Sequence, residues 1–439
     1  MHVRHWLACV LALVMTLMGA SRATAETTAA NVQHEKSTVS ETLTLERALS
    51  LALANNPELS ASSIEIQARE AKIIQSGALP NPELEVEIDN IYGNRDLRNF
   101  TGAETAVSLS QLIELGGKRQ KRSELAAMDR DLSRWDYEAK KLDLQAEVTK
   151  AFVDVVGEQV HVALFEELFR IAEQSLGVVA ARVQSGKVSP IEETKAAASL
   201  ASVGIEREKA RRSLEAARNR LASFWGGAGA SLAEVEGDFA VDPVVPSVDE
   251  LRKAMMSNPD IARWDSEVKQ RKLSLDLEKA NRIPDPSLRG GVKYFNETSE
   301  RAFLIGISIP LPLFNANKGA VAEAGKRVSK AEVERKAAVL KVQSALTEAY
   351  QAMAGAYAEA NALRSKVLPA LQDAYDAVSE GYRYGKFGYL DLLDTQRTLF
   401  ESRIKYNETI AAYRKAKADV QRFAGSGPNA GGGGEKNER

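Results

Sequence analysis

Asn56-Pro57-Glu58-Leu59 returns later in the chain as Asn258-Pro259-Asp260-Ile261. Pro80-Asn81-Pro82-Glu83-Leu84 returns as Pro284-Asp285-Pro286-Ser287-Leu288, and Leu115-Gly116-Gly117-Lys118 is answered by Asn315-Ala316-Asn317-Lys318. Gly186-Lys187 returns as Gly385-Lys386, and Phe224 and Gly226 return as Phe423 and Gly425. The pairs keep their order and lie about 200 residues apart, which marks an internal duplication. Each half must therefore be a structural unit, and the two units must pack as related copies.

Both halves read alike. A helix of about 35 residues leads to Pro-x-Pro and two short strands; a helix of about 65 residues then runs to the Gly-Lys turn, and one of about 35 returns. At about 1.5 Å per residue the long helices span about 100 Å, so two shorter helices laid end to end match one long one. The first long helix carries a 4-3 seam of Leu144, Val148, Ala151 and Val155, then Val162, Phe165, Phe169, Ala172, Leu176, Val179 and Val183, interrupted by Glu158. The second carries Val342, Leu346, Ala349, Met353, Ala356, Ala360, Leu363, Val367, Ala370, Ala374 and Ala377. Such a period implies left-handed supercoiling. A further stripe, Val153, Val156, Val160, Leu164, Leu168 and Ile171, lies on another face of the first helix. Ordinary bundle packing accounts for one seam; a helix with two packs on both sides, as in a wall or tube. Pro369 predicts a local kink.

The spacing divides the 439 residues as follows. Residues 1–25 read as a secretory signal peptide: Arg4 and His5 precede WLACVLALVMTLMGA, and Ala23-Thr24-Ala25 ends it. An uncleaved anchor is the alternative. The first repeat covers 26–226, with strands 83–92 and 104–113 and helices 118–184 and 190–225. A linker spans 227–246. The second repeat covers 247–425, with strands 287–296 and 302–311 and helices 318–383 and 389–424; 426–439 is a Gly-rich tail. Cys9, the only cysteine, lies inside the leader, and His34 and His161 are the histidines outside it. The formal net charge of −2 gives no reason to expect nucleic acid. No catalytic triad, metal-ligand cluster or phosphate loop stands out, so neither an enzyme nor a cofactor is expected.

Each strand candidate alternates polar and apolar residues. Glu83, Glu85, Glu87 and Asp89 share one face, and Leu84, Val86 and Ile88 the other. Phe303, Ile305 and Ile307 repeat the pattern in the last strand. Soluble hairpins packed on a helix layer satisfy it as well. Export, two hairpins and helices too long for a compact domain favour strands that cross a bilayer. Four strands cannot close a barrel, and open edges are not tolerated in lipid; three protomers would supply twelve. In such a barrel the four acids would face the lumen.

The duplicated plan, the Pro-x-Pro entries, LSQLIELGGKR (109–119), PLPLFNANKG (310–319) and GKFGYLDLLDTQ (385–396) resemble the TolC-type outer membrane factor family, and within it the CzcC-like subgroup of heavy-metal efflux. The resemblance covers nearly all of the mature chain. It implies a mainly α fold with membrane β: a homotrimer with a twelve-stranded outer-membrane barrel in lipid, an α-helical periplasmic tunnel, and an equatorial region from the termini and 227–246. It implies a passive duct that works with a periplasmic adaptor and an inner-membrane pump of the resistance–nodulation–division type. Heavy-metal cations are the cargo it suggests; drugs or other small molecules are the alternative, and a soluble periplasmic scaffold is a further one. The tip glycines Gly186 and Gly385 already suit helix ends. The resemblance adds that these tips, with Lys187 and Lys386, dock the adaptor. Asp391 and Asp394 lie one helical turn apart, where three copies would form two acidic rings; helix-terminal acids complementing the dipole are the plainer reading. The resemblance places both at the periplasmic constriction and gives Tyr382 and Glu192 gate-holding contacts. Phe387 departs from the family's arginine, with Lys386 or Arg383 as candidate substitutes.

Overall fold

The computed structural model describes residues 42–92, 100–227, 235–237 and 246–425. The leader, residues 26–41, most of the 227–246 linker and the tail lie outside the described residues, as does His34.

Each half opens with a helix broken in two. In the first, α1 (Leu45–Asn55) is followed by α2 (Pro57–Ser76). The break comes from Asn56-Pro57, because proline cannot donate to the ladder and pushes the residue before it out of the helical region. Asn56 accordingly sits at φ −69°, ψ 122°. The second half breaks at Asn258-Pro259, giving its own short and longer helix. The expected single helix of each half is therefore two.

The asparagines do more than end a helix. Asn56 Oδ1 accepts from Leu59 N at 3.0 Å, and Asn258 Oδ1 from Asp260 N at 2.9 Å, so each caps the helix that follows. Their amide nitrogens donate to carbonyls at the far end of the same repeat. Asn56 reaches Phe224 at 2.9 Å, and Asn258 reaches Arg422 at 2.8 Å and Phe423 at 3.1 Å. Two of the duplicated motifs, Asn-Pro and Phe-x-Gly, are thus bonded partners in both halves. They join the returning helix end to end with the opening pair.

The remaining elements follow in order. β1 is Glu83–Asp89 and β2 is Glu104–Leu112. α3 runs unbroken through 67 residues, Lys118–Gln184, and α4 (Pro190–Ser223) returns along it. In the second half α5 is Val248–Met255, α6 is Pro259–Ala280, β3 is Ser287–Phe295 and β4 is Glu300–Ser308. α7 (Lys318–Ala362) passes through one π-helical segment, Leu363–Val367, into α8 (Leu368–Arg383), and α9 (Tyr389–Ala424) returns. α2, α3, α6 and α7 lie in a row, each packed on the next, while α4 packs on α3 and α9 on both α7 and α3. No helix among the described residues is long and apolar enough to cross a membrane.

The seam of α3 holds throughout: none of its residues is exposed. Val148, Ala151 and Val155 close a core with Ala48, Leu49 and Ala52 of α1 and Leu221 of α4. Leu43 and Val235, joined by a β-bridge, complete that core. In the second half Val342, Leu346, Ala349 and Met353 pack with Ile261 of α6 and Val420 of α9.

Beyond Leu363 the expected seam is overturned. Val367, Ala370, Ala374 and Ala377 are exposed, and Leu368, Leu371, Tyr375 and Val378 turn inward instead. The π segment is the cause. It inserts one extra residue, which rotates everything after it by about 100°. Pro369 explains where it sits: an α-helix would need a donor from residue 369 to the Ser365 carbonyl, and proline has none. The kink expected at Pro369 takes the form of a change of register.

The four strands form one antiparallel sheet in the order β1-β2-β3-β4. β1 stops at Asp89 rather than residue 92, because Asn90 and Tyr92 take φ of 56° and 54°. β4 begins at Glu300 and ends at Ser308, ahead of Pro310 and Pro312, which cannot donate to a ladder. β2 and β3 come so close that a Cβ on Gly291 would lie 2.3 Å from the Val107 carbonyl oxygen. β1 and β4 are the edges and have no outer strand partner among the described residues.

Candidate functional site

Two surfaces combine unusual exposure with charge: the ends of the long helices and the sheet. At the helix ends the duplicated turns adopt one geometry. Gly186 and Gly385 take φ of 69° and 77°. Lys187 N donates to Arg182 O at 2.9 Å, and Lys386 N to Gly381 O at 2.8 Å. These bonds satisfy carbonyls that a helix end would otherwise leave open. Gly186, Lys187, Gly385 and Lys386 are all exposed, beside exposed Ile191, Tyr384, Phe387 and Leu390.

The turns differ in how the returning helix starts. Ser189 caps α4 with its hydroxyl, accepting from Ile191 N. Gly388 has no side chain to offer α9. There Asp391 Oδ2 reaches back and accepts from Gly388 N at 2.9 Å. Asp391 thus does the work of a helix-terminal acid, and it stays exposed, as does Asp394 one turn on.

Between the turns lies a small buried cluster of Val179, Ala196, Tyr382, Tyr389 and Leu392. Glu192 and Tyr382 are brought together here but are not bonded to each other. The Tyr382 hydroxyl and Glu192 Oε2 are both buried without a hydrogen-bond partner. Burial raises the Tyr382 pKa; the Arg182 charge opposes the rise and Glu192 adds to it. Tyr389 is pushed up to about 12, first by burial and then by Tyr382 and Glu192.

The cation that meets Tyr382 is neither Lys386 nor Arg383. Arg182, from the other repeat, donates from Nη1 to the Tyr382 carbonyl at 2.9 Å, and its guanidinium lies 4.6 Å from the centre of the Tyr382 ring. Phe387 packs instead on Gly381, where a Cβ would come within 2.4 Å of its ring. Arg182 and Gly381 occupy matching places in the two repeats. The large residue reaches across, and the small one makes room for Phe387. Neither was singled out from the sequence, although this mismatch between copies was the available signal.

The sheet is two-faced. Glu83, Glu85, Glu87 and Asp89 do share a face, but not an unrelieved acidic one. Arg289 of β3 lies 3.2 Å from both Glu85 and Glu87 and donates to Ser108 Oγ at 2.8 Å. Lys293 pairs with Glu104 and lies 3.8 Å from Asp89. The opposite face carries Leu84, Val86, Ile88, Leu109, Leu288, Val292, Phe303, Ile305 and Ile307, all exposed; Phe303 and Ile305 reach 90%. A contiguous apolar face of this kind marks a surface meant for something other than water.

Residues 48–227 and 251–426 each match the family described as outer membrane efflux protein. The chain belongs to the outer membrane efflux protein family. Among its relatives is the cobalt-zinc-cadmium resistance protein CzcC of Cupriavidus metallidurans, 32% identical over 383 residues, covering 87% of this chain and 90% of that protein. The nickel-cobalt-cadmium resistance protein NccC of Alcaligenes xylosoxydans xylosoxydans is 23% identical over 68% of this chain and 67% of that protein. The crystal structure of CusC, whose description concerns folding and transmembrane channel formation, superposes with a TM-score of 0.73 at 20% identity, over 87% of this chain and 92% of that one. This efflux channel is an outer-membrane protein that extends into the periplasm. Membership accounts for the duplication, since each repeat carries one match.

Proposed function

We propose that three copies of the chain pool their sheets into a twelve-stranded barrel, and that this barrel and the long helices form a passive export duct. The observation that carries this is a four-stranded sheet with both edges unpaired among the described residues and its apolar face exposed. Open edges are not tolerated in lipid, and only closure with other copies removes them. Three chains give a common barrel size. In this reading each repeat (26–226 and 247–425) contributes two strands, and 227–246 lies at the equator.

The helical tips form the inner mouth. Gly186-Lys187 and Gly385-Lys386 dock a periplasmic adaptor, and an inner-membrane pump of the resistance–nodulation–division type supplies the energy. Asp391 and Asp394, exposed on one helix face, supply rings of carboxylates at the constriction, held by the Arg182–Tyr382–Glu192 cluster. The cargo is heavy-metal cations, a reading supported by the resistance named for CzcC and NccC. On the sheet's polar face six acids, Glu83, Glu85, Glu87, Asp89, Glu104 and Glu300, outnumber Arg289 and Lys293.

Mass in detergent after outer-membrane fractionation tests the assembly: three chains are expected, and a single chain rules the barrel out. Deleting the gene tests the cargo. Tolerance to cobalt, zinc and cadmium should fall; unchanged metal tolerance with raised drug sensitivity assigns the duct to small organic molecules instead.

A further inference from the structure

Arg289, Lys293 and Arg301 are the cations of the four strands. Arg289 and Lys293 sit among acids on the polar face. Arg301 does not. Strand pairing sets the rows of the opposite face. Leu84, Leu109, Gly290 and Ile305 lie side by side, then Val86, Val107, Val292 and Phe303, then Ile88, Thr105, Tyr294 and Arg301. The last row adjoins the turns, at the end of the sheet away from the helices, and it closes the apolar band. Beyond it the β3–β4 turn is polar, Asn296-Glu297-Thr298-Ser299.

This row differs from the two below it in offering hydrogen-bond donors. Tyr294 and Arg301 stand directly opposite each other on neighbouring strands, with Thr105 on the far side of Tyr294. Arg301 is exposed and Tyr294 half-buried. Among the described residues neither side chain has a hydrogen-bond or ionic partner. The acids next in sequence or register, Glu104 and Glu300, belong to the polar face, and Glu297 of the turn makes no ion pair with Arg301. The apolar face therefore ends on one uncompensated guanidinium beside a phenol.

We infer that Arg301 and Tyr294 bind the phosphate of a membrane lipid, a phosphomonoester carried where the headgroup meets the acyl chains. This site rests on the barrel proposed above. With the apolar face in lipid and the helices periplasmic, the row lies at the headgroup level of the outer leaflet. A guanidinium is costly in hydrocarbon and tolerated at the interface, and a tyrosine suits the same level. Height alone would let Arg301 reach for water. Phosphate is favoured because the guanidinium fork matches two of its oxygens, the phenol adds a third donor, and no acid competes on that face. The same strand tells a lipid from a free anion. Directly below Arg301 on its face stand Phe303, Ile305 and Ile307, exposed by 90%, 90% and 64%, and the acyl chains of a bound lipid would cover them.

Native mass spectrometry of the full chain, taken from outer membranes into a neutral detergent, tests this with bisphosphorylated lipid A as the probe. One lipid per chain is expected. Arg301→Gln should weaken binding about tenfold, the loss of one charge-assisted contact. Tyr294→Phe should weaken it less, and Arg301→Lys should keep part of it. Arg212→Gln, on an exposed helix face, should change nothing. Removing both phosphates from the lipid should weaken binding to the parent and make no further difference to Arg301→Gln. Binding that ignores the phosphates, or that falls equally in Arg301→Gln and Arg212→Gln, means that the guanidinium reaches only for water and overturns the site. Inorganic phosphate that displaces the lipid at equal concentration assigns a free anion and overturns the lipid. These outcomes leave a three-chain mass intact; a single-chain mass overturns the barrel and the site with it.

Discussion

Asp391 carries two roles that chemistry can separate. Its carboxylate caps Gly388 N at 2.9 Å, and in the proposed channel its charge faces the passage. Asp391→Asn keeps an acceptor oxygen and removes the charge; Asp391→Ala removes both. Thermal unfolding should barely move for the first and should lose about 1 kcal/mol for the second. Planar-bilayer recordings should show weaker cation block for both. If conductance and divalent-ion block are untouched in either variant, the acid serves the helix alone. Tyr389 offers a pH test of the same cluster. Its folded pKa is about 12 against an ordinary 10.0. Below pH 10 the phenol is neutral folded or unfolded, and its contribution is complete. From pH 10 to about 12 the unfolded chain ionises first, so stability drains away as pH rises. Tyr389→Phe should remove that alkaline loss. A phenolate absorbance titration of the parent should show one group titrating late that the variant lacks.

At the scale of elements the π segment makes the sharpest prediction. If it serves to shift register, deleting Ser365 while changing Pro369→Ala should leave a continuous α-helix with Leu371, Tyr375 and Val378 still inward. Deleting Ala345 instead should throw the whole lower seam outward. Circular dichroism and melting temperature distinguish them: the first variant should stay near the parent, and the second should melt much lower. Equal damage from both would mean that the segment does not set the phase. The same segment shows what can be read from sequence and what cannot. The alternation of β1 to β4 was legible because one face is apolar and the other charged, and the α3 seam was legible because nothing interrupts its backbone. Beyond Leu363 two apolar sets, one residue apart, both satisfy the 4-3 spacing. A missing donor at Pro369 decides between them, and periodicity cannot see it. The Asn-Pro motifs repeat visibly in the sequence, but the helix breaks they make do not show there, because their partners, the Phe224 and Phe423 carbonyls, are remote in sequence. Arg182 escaped for the same reason: its contact with Tyr382 spans 200 positions and joins two different repeats.

For the whole molecule the question is which face of the sheet meets lipid, and neighbouring residues of β4 answer it. Phe303 lies on the apolar face, opposite Val292; Leu304 lies on the other, opposite Gly291 and near the charged ladder of Arg289 and Lys293. The two side chains are both large and apolar, so composition alone does not separate them. In a closed barrel an arginine at Phe303 must enter hydrocarbon, which costs about 2–4 kcal/mol near the bilayer midplane and less toward the interfaces. Closure by three copies multiplies that cost, because every subunit presents the same residue. An arginine at Leu304 enters the watery interior on the face that carries the acids of the sheet and costs little. Phe303→Arg should therefore lower the yield of outer-membrane trimer sharply, and Leu304→Arg should not. Equal tolerance of both would mean that the apolar face packs on protein, and the barrel would have to close some other way. A defect confined to Leu304→Arg would turn the sheet inside out, placing Glu83 to Asp89 toward lipid. Their pairing with only two cations makes that arrangement untenable.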